Sequence, residues 1–303
     1  MKSRPLTVRS DDLTVSGEWL PRVRLIIMPE LPEVENVMRG LAQRLIGQRL
    51  AKIELRRSTL RWPIPENIVE QLTGKRITGF RRRAKYIIID LNSNISWIIH
   101  LGISGRILVF NDSKPLIDIH DHVVCHTDDC IWIKFNDARR FGMMDLYKTS
   151  EIQQHKLLKN IGPEPLDKGF SGTMLESALS GKHVPIKAAL LDQKIVAGIG
   201  NIYASETLHR SGILPSHLAM NITEKRAEKL VLEIKSVLTE AIAAGGSSLR
   251  DHRQVNNKPG FFQNFLRVYN REGEKCLSYG CHGSVKRAVQ YGRSTFYCPQ
   301  CQH

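Results

Sequence analysis

No segment of this 303-residue chain is apolar for long enough to cross a bilayer, and no polybasic amphipathic helix marks a membrane surface as its partner. A secretion signal is missing as well. Residues 1–27 have no apolar core of signal-peptide type, and Asp11, Asp12 and Glu18 among Arg4, Arg9, Arg22 and Arg24 argue against an organelle transit peptide. There is no internal repeat and no low-complexity tract. Cysteine is scarce before the C-terminus: of six, four lie in the last 28 residues, and Cys125 and Cys130 sit in a strand-like stretch. A disulfide scaffold does not suit a chain this long without a secretion signal, so a reducing cytosol and a metal site are expected. Acidic residues are in deficit, 30 against 44 Lys and Arg, for a net charge of +14. That balance implies a polyanionic partner, and nucleic acid fits better than a membrane. The 42% hydrophobic and 24% charged content is that of a globular protein, long enough for two or three domains.

Leu31, Val34, Met38, Leu41 and Leu45 recur at helical spacing, with Pro32, Glu33 and Glu35 suited to a helix start. From about residue 50 to 148, apolar runs such as Tyr86–Leu91 and Ile95–His100, broken by Asn92-Ser93-Asn94, predict strands and hairpins. From about residue 158 helices take over. One covers Ile186–Gln193; a second is capped by Asn201 and ends at Gly212, with Pro215 following. A third runs from Thr223 to about Ala244 with the stripe Leu230, Ile234, Val237 and Ala241, and Gly245-Gly246 stops it. Ser247–Phe262, with Asn256, Asn257, Pro259 and Gly260, reads as a long functional loop. Residues 1–27 end directly before Met28; they read as an over-long start, the alternative being a real, partly disordered extension.

Cys276 and Cys281 are separated by four residues, Cys298 and Cys301 by two, and sixteen lie between the pairs. Two short-spaced pairs joined by a hairpin-length connector are the pattern of a four-thiolate zinc site, closed and therefore structural, with one ion per chain. Lys286, Arg287 and Arg293 on the connector make it a plausible DNA-contacting finger. Cys125 and Cys130 with His120, His122 and His126 read as strand residues rather than a second site.

Met28-Pro29-Glu30 carries the chemistry. Removal of Met28 would leave Pro29 with a free secondary amine, whose ordinary pKa near 8 falls further beside a helix N-terminus. A neutral amine can form an imine-type intermediate with a sugar carbon, and Glu30 can move protons beside it. Taken alone, Pro-Glu at a helix start is simply a cap.

Six segments in order decide the context: Pro29–Glu35, Arg82–Tyr86, His100–Gly105, Asp137–Gly142, Gly198–Glu206 and the four-cysteine finger. Together, over residues 28–303, they resemble the bacterial formamidopyrimidine-DNA glycosylases; Leu31 favours this group over the related endonuclease VIII group, which typically begins Pro-Glu-Gly. The resemblance implies an α+β multidomain fold. After the extension (1–27) come a β-sandwich with flanking helices (28–157), a helix–two-turn–helix domain with a lesion loop (158–265) and a zinc-finger β-hairpin (266–303). It implies a monomeric bacterial cytoplasmic enzyme that flips an oxidised purine out of duplex DNA, excises it through a Pro29 imine and cuts the strand by β,δ-elimination.

The implied roles follow residue by residue. Glu30 is the general acid/base of base loss and Glu33 is structural support. Lys85 and Arg293 serve the two eliminations as proton donors, or act as electrostatic anchors of phosphate. Ile103, Arg139 and Phe141 form the wedge that fills the gap left by the extruded base. Asn201 begins a helix whose N-terminus is a ready phosphate site. His100, His120, Lys182 and Tyr269 contact the DNA backbone. Two departures from the family pattern stand out. Ile103 replaces the usual Met and is stiffer, and the first cysteine pair is spaced by four rather than two. If residues 1–27 are retained, Pro29 is an internal amide, and the alternative is a catalytically silent DNA-binding zinc-finger protein.

Overall fold

The computed structural model describes residues 28–111, 113–247, 255 and 259–303. Helix α1 (Leu31–Leu45) follows the sequence period closely: Leu31, Val34, Val37, Leu41 and Leu45 are buried and Met38 is half-buried. Strands β1 (Leu50–Leu55) and β2 (Ile77–Arg83) flank the short helix α2 (Ile68–Leu72). There follow β3 (Tyr86–Leu91), β4 (Ile95–His100), β5 (Arg106–Phe110), β6 (Asp121–Thr127), β7 (Trp132–Asn136) and β8 (Met143–Lys148). They form two four-stranded antiparallel sheets, β1-β6-β7-β5 and β2-β3-β4-β8.

Successive side chains of a strand point to opposite faces. Ile87, Ile89, Leu91, Trp97 and Ile99 pack with Val34, Val37 and Leu41 of α1 in the sandwich core. Ile88 and Ile98 face the other way, onto Ile152 and Leu158. Both faces of β3 and β4 are therefore covered, which is why these strands read as continuous apolar runs rather than alternating ones.

The C-terminal half contains α3 (Gly172–Leu179), α4 (Ile186–Leu191), α5 (Asn201–Ser211) and α6 (Glu224–Ala243). Leu230, Ile234, Val237 and Ala241 of α6 are fully buried as the stripe predicts. Helix α4 stops at Leu191, two residues early. The Gln193 amide is engaged outside the helix, donating to Leu191 O and Ile199 O and accepting from Gly198 N. Asn201 is the first helical residue of α5 and not its cap, which is Gly200. The finger closes the chain as β9 (Lys286–Gln290) and β10 (Arg293–Tyr297), joined by Tyr291-Gly292. Leu31 belongs to the helical core while the rest of the α1 stripe belongs to the sandwich core, so α1 bolts the two halves together. The expected residues Asn256 and Asn257 of the long loop, and residues 1–27, lie outside the described residues. Among the described residues no helix is long and apolar enough to cross a membrane.

Candidate active site at the junction of the two halves

Pro29 is buried at the start of α1. The next residue, Glu30, donates its backbone N–H to Glu33 Oε2 at 3.0 Å, which fixes the chain entry to the helix. Its side chain turns to the other half of the molecule. Oε1 accepts from Ile202 N at 2.9 Å and Oε2 from Tyr203 N at 3.3 Å, so Glu30 caps α5 across 172 residues of sequence. Gly200 makes this approach possible: a Cβ there would lie 2.3 Å from Glu30 Cδ. The α5 N-terminus is thus occupied by a carboxylate of the chain itself, which corrects the expectation of a free phosphate site there. Asn201 instead donates its side-chain amide to Ser294 O at 2.9 Å and towards Tyr269 Oη at 3.4 Å.

Burial pushes the Glu30 carboxyl up to about 7, Glu33 adds to the rise, and Lys85 and the two α5 amides oppose it. A carboxyl poised at neutral pH can both give and accept a proton. Glu33 is a support: its Oε1 accepts from Tyr203 Oη at 2.6 Å and from Ser247 N at 2.7 Å.

Lys85 lies in the β2–β3 turn beside Ala84, which has φ 49°. One carboxylate, Glu164, holds that turn, accepting from Ala84 N at 2.6 Å, Arg82 Nη1 at 2.6 Å and Arg83 Nη1 at 2.8 Å. Arg82 reaches Glu35 of α1 at 2.7 Å as well. Burial holds the Lys85 ammonium below its ordinary pKa; Arg293 adds to this, while Glu30 and Glu33 oppose it. The charges of Glu30 and Arg293 therefore both act on Lys85, and Pro29 adjoins Glu30 in the chain.

Arg293 is exposed at the start of β10. Lys187 of α4, 1% exposed, donates to Ser294 O at 3.0 Å and Thr295 Oγ1 at 2.7 Å. Burial lowers its pKa to about 7, Arg293 lowers it further and Glu30 opposes. The sequence reading missed Lys187; its signal was a lysine between Ile186 and the apolar Ala189-Leu190 of a buried helix. It also missed Glu164, and Glu206, whose carboxylate accepts from the backbone of Arg267, Val268 and Tyr269.

The wedge residues come together. Gly102, beside Ile103, has φ 65° and packs so closely on the Phe141 backbone that a Cβ would meet it at 2.3 Å. The Arg139 guanidinium stands 5.2 Å over the exposed Phe141 ring. His100 lies beside Tyr86 and accepts from Gly102 N at 2.9 Å. Burial, with Lys85 and Arg61, pushes it down to about 4, so it is uncharged at neutral pH. His120 is exposed just before β6, and Lys182 is half-buried between α3 and α4. Tyr269, expected at the DNA backbone, is only 1% exposed and packs edge-on to Phe296.

The four C-terminal cysteines converge, with all sulfurs within 4.8 Å of one another and Cys276–Cys301 and Cys281–Cys298 each at 3.7 Å. A tetrahedral zinc–thiolate site with bonds of about 2.3 Å has sulfur edges of about 3.8 Å, so donor set and spacing both fit zinc. Among the described residues this is the one candidate metal cluster. Cys125 is buried in the sandwich core, and Cys130, expected in a strand, is an exposed turn residue with φ 57°.

Comparison with known proteins agrees with this geometry. Residues 28–144 match the formamidopyrimidine-DNA glycosylase N-terminal domain and residues 161–253 its H2TH domain. The formamidopyrimidine-DNA glycosylases of Cereibacter sphaeroides and Paracoccus denitrificans are each 51% identical over 282 residues, covering 91% of this chain and all of theirs. Lactococcus lactis Fpg in complex with abasic-site DNA superposes with a TM-score of 0.82 at 35% identity, over 90% of this chain and 99% of that one. MutM in complex with carbocyclic 8-oxo-G DNA gives 0.81 at 36% identity, over 91% and 100%. The chain belongs to the formamidopyrimidine-DNA glycosylase family.

Proposed function

We propose that the protein is a base-excision repair glycosylase and abasic-site lyase, acting in the bacterial cytoplasm as a monomer on duplex DNA that contains 8-oxoguanine or formamidopyrimidines. The observation that carries the reading is the buried Glu30 carboxyl, next to Pro29 in sequence and held across the junction by Ile202 N and Tyr203 N. With Met28 removed, the Pro29 amine attacks the sugar carbon of the flipped nucleotide and displaces the base. Glu30, titrating near neutrality, moves the protons of that step. The covalent iminium then loses the phosphates on its two sides in successive eliminations. Lys85 and Arg293, whose charges act on one another, are proposed to serve them as proton donors or phosphate anchors.

Ile103, Arg139 and Phe141 replace the extruded base in the stack. His100, His120, Lys182 and Asn201 remain the proposed backbone contacts, with Tyr269 acting through Asn201. Cys276, Cys281, Cys298 and Cys301 would hold one structural zinc, which fixes the hairpin that presents Arg293. The proposed division is 28–157 for the catalytic sandwich, 158–265 for the helical domain and 266–303 for the finger. A chain that keeps residues before Pro29 has no free amine and would bind without cutting.

The test is Glu30→Gln. On an 8-oxoguanine duplex its single-turnover base excision should fall by on the order of 10²–10⁴, while cleavage of a preformed abasic site persists. Excision at the parent rate would refute the assignment.

A further inference from the structure

His209 sits in the last turn of α5 and is 2% exposed. Its Nε2 lies 3.3 Å from Cys276 Sγ, 3.2 Å from Ser278 Oγ and 3.9 Å from Cys301 Sγ. Ser278 stands in the four-residue spacer that lengthens the first knuckle, with its Oγ 3.8 Å from Cys301 Sγ and its N–H donating to Cys276 Sγ at 3.4 Å. Nδ1 of His209 is buried and has no partner among the described residues. A metal-bound thiolate only accepts hydrogen bonds, and a neutral imidazole has one N–H to give. The proton therefore belongs on Nε2, where the sulfurs are.

We propose that His209 is an outer-sphere positioning residue of the metal site. It donates Nε2–H to the Cys276 thiolate, with Ser278 bridging to Cys301. Groups that hydrogen-bond to metal ligands orient them and tune how firmly the metal is held. Here the donor comes from the helix whose other end is capped by Glu30, so one rigid element ties the acid to the finger. The inference rests on the zinc reading above, and the experiment separates the two. Elemental analysis of the purified wild type comes first. One zinc per chain supports the site, and none sinks the zinc reading itself.

With zinc present, release to excess chelator is timed for wild type, His209→Phe and His209→Gln, and the thiolate charge-transfer band of the cobalt-substituted forms is recorded. The Phe variant should release metal about tenfold faster or more and shift the band to the red, and Gln, which keeps an N–H donor, should restore most of both. A Phe variant with the wild-type release rate and band would overturn the proposal. Should that variant fail to fold, ¹⁵N spectra of the unsubstituted zinc protein decide instead. A proton on His209 Nε2 supports the assignment, and a proton on Nδ1 overturns it.

Discussion

Gly200→Ala tests the junction at its tightest point. Gly200 has φ −132° and ψ −160°, extended backbone that alanine adopts freely. On backbone grounds alone the change should stabilise the protein by about 0.4–1 kcal/mol, through lost freedom of the unfolded chain. The new Cβ, however, would lie 2.3 Å from Glu30 Cδ and 2.5 Å from Oε1. Glu30 must swing away and give up its bonds from Ile202 N and Tyr203 N. Hydrogen bonds to a charged group contribute about 1.5–3 kcal/mol each. With the carboxyl near half-ionised at pH 7, a net loss of about 2–4 kcal/mol is expected. In a Glu30→Ala background the Cβ has room and the loss should vanish. Urea unfolding of the four proteins of this cycle reads the coupling, and single-turnover excision should fall for Gly200→Ala as for Glu30→Gln. Equal costs of Gly200→Ala in both backgrounds would refute the reasoning.

Three further outcomes are expected. Glu30 has its pKa raised from 4.5 to about 7 by burial, so the folded state binds more protons than the unfolded between those values and stability falls as pH rises through that window. At about 1.4 kcal/mol per pH unit the wild type should lose about 3 kcal/mol more than Glu30→Gln between pH 4.5 and 7 in urea titrations, and parallel pH profiles would contradict this. Stripping the metal, or Cys298→Ser, should unfold the hairpin that presents Arg293, because structural zinc contributes on the order of 10 kcal/mol to such small modules. DNA binding by fluorescence anisotropy should collapse while the sandwich core still unfolds cooperatively; unchanged affinity would count against the finger's role. Affinity for duplex should also drop on the order of 10³-fold between about 50 and 200 mM salt, as phosphate contacts release counterions, and a flat response would contradict the basic-surface argument.

What could be read in the sequence was what depends on local periodicity or fixed spacing. The bounds of α1, β3 and β4 follow from apolar period and turn residues, and the four-cysteine cluster from two short cysteine spacings. What escaped depends on partners distant in sequence. Asn201 looked like a helix cap because Asn commonly is one, yet α5 takes its cap from Glu30, 172 positions away in the contact to Ile202. The burial of Lys187 depends on its contacts with Ser294 and Thr295 of the hairpin, 107 and 108 residues away. The clamp of Glu164 on the turn that holds Lys85 spans 80 residues, and nothing local to either segment announces it.

The most direct test of the central claim is borohydride trapping on a duplex containing 8-oxoguanine, with protein beginning at Pro29 beside the full 303-residue chain. The account predicts a covalent protein–DNA complex from the chain with a free Pro29 amine, lost on Pro29→Gly or on blocking the amine. No complex from that chain, with DNA binding intact, would contradict the imine mechanism and leave a protein that binds damaged DNA without cutting it.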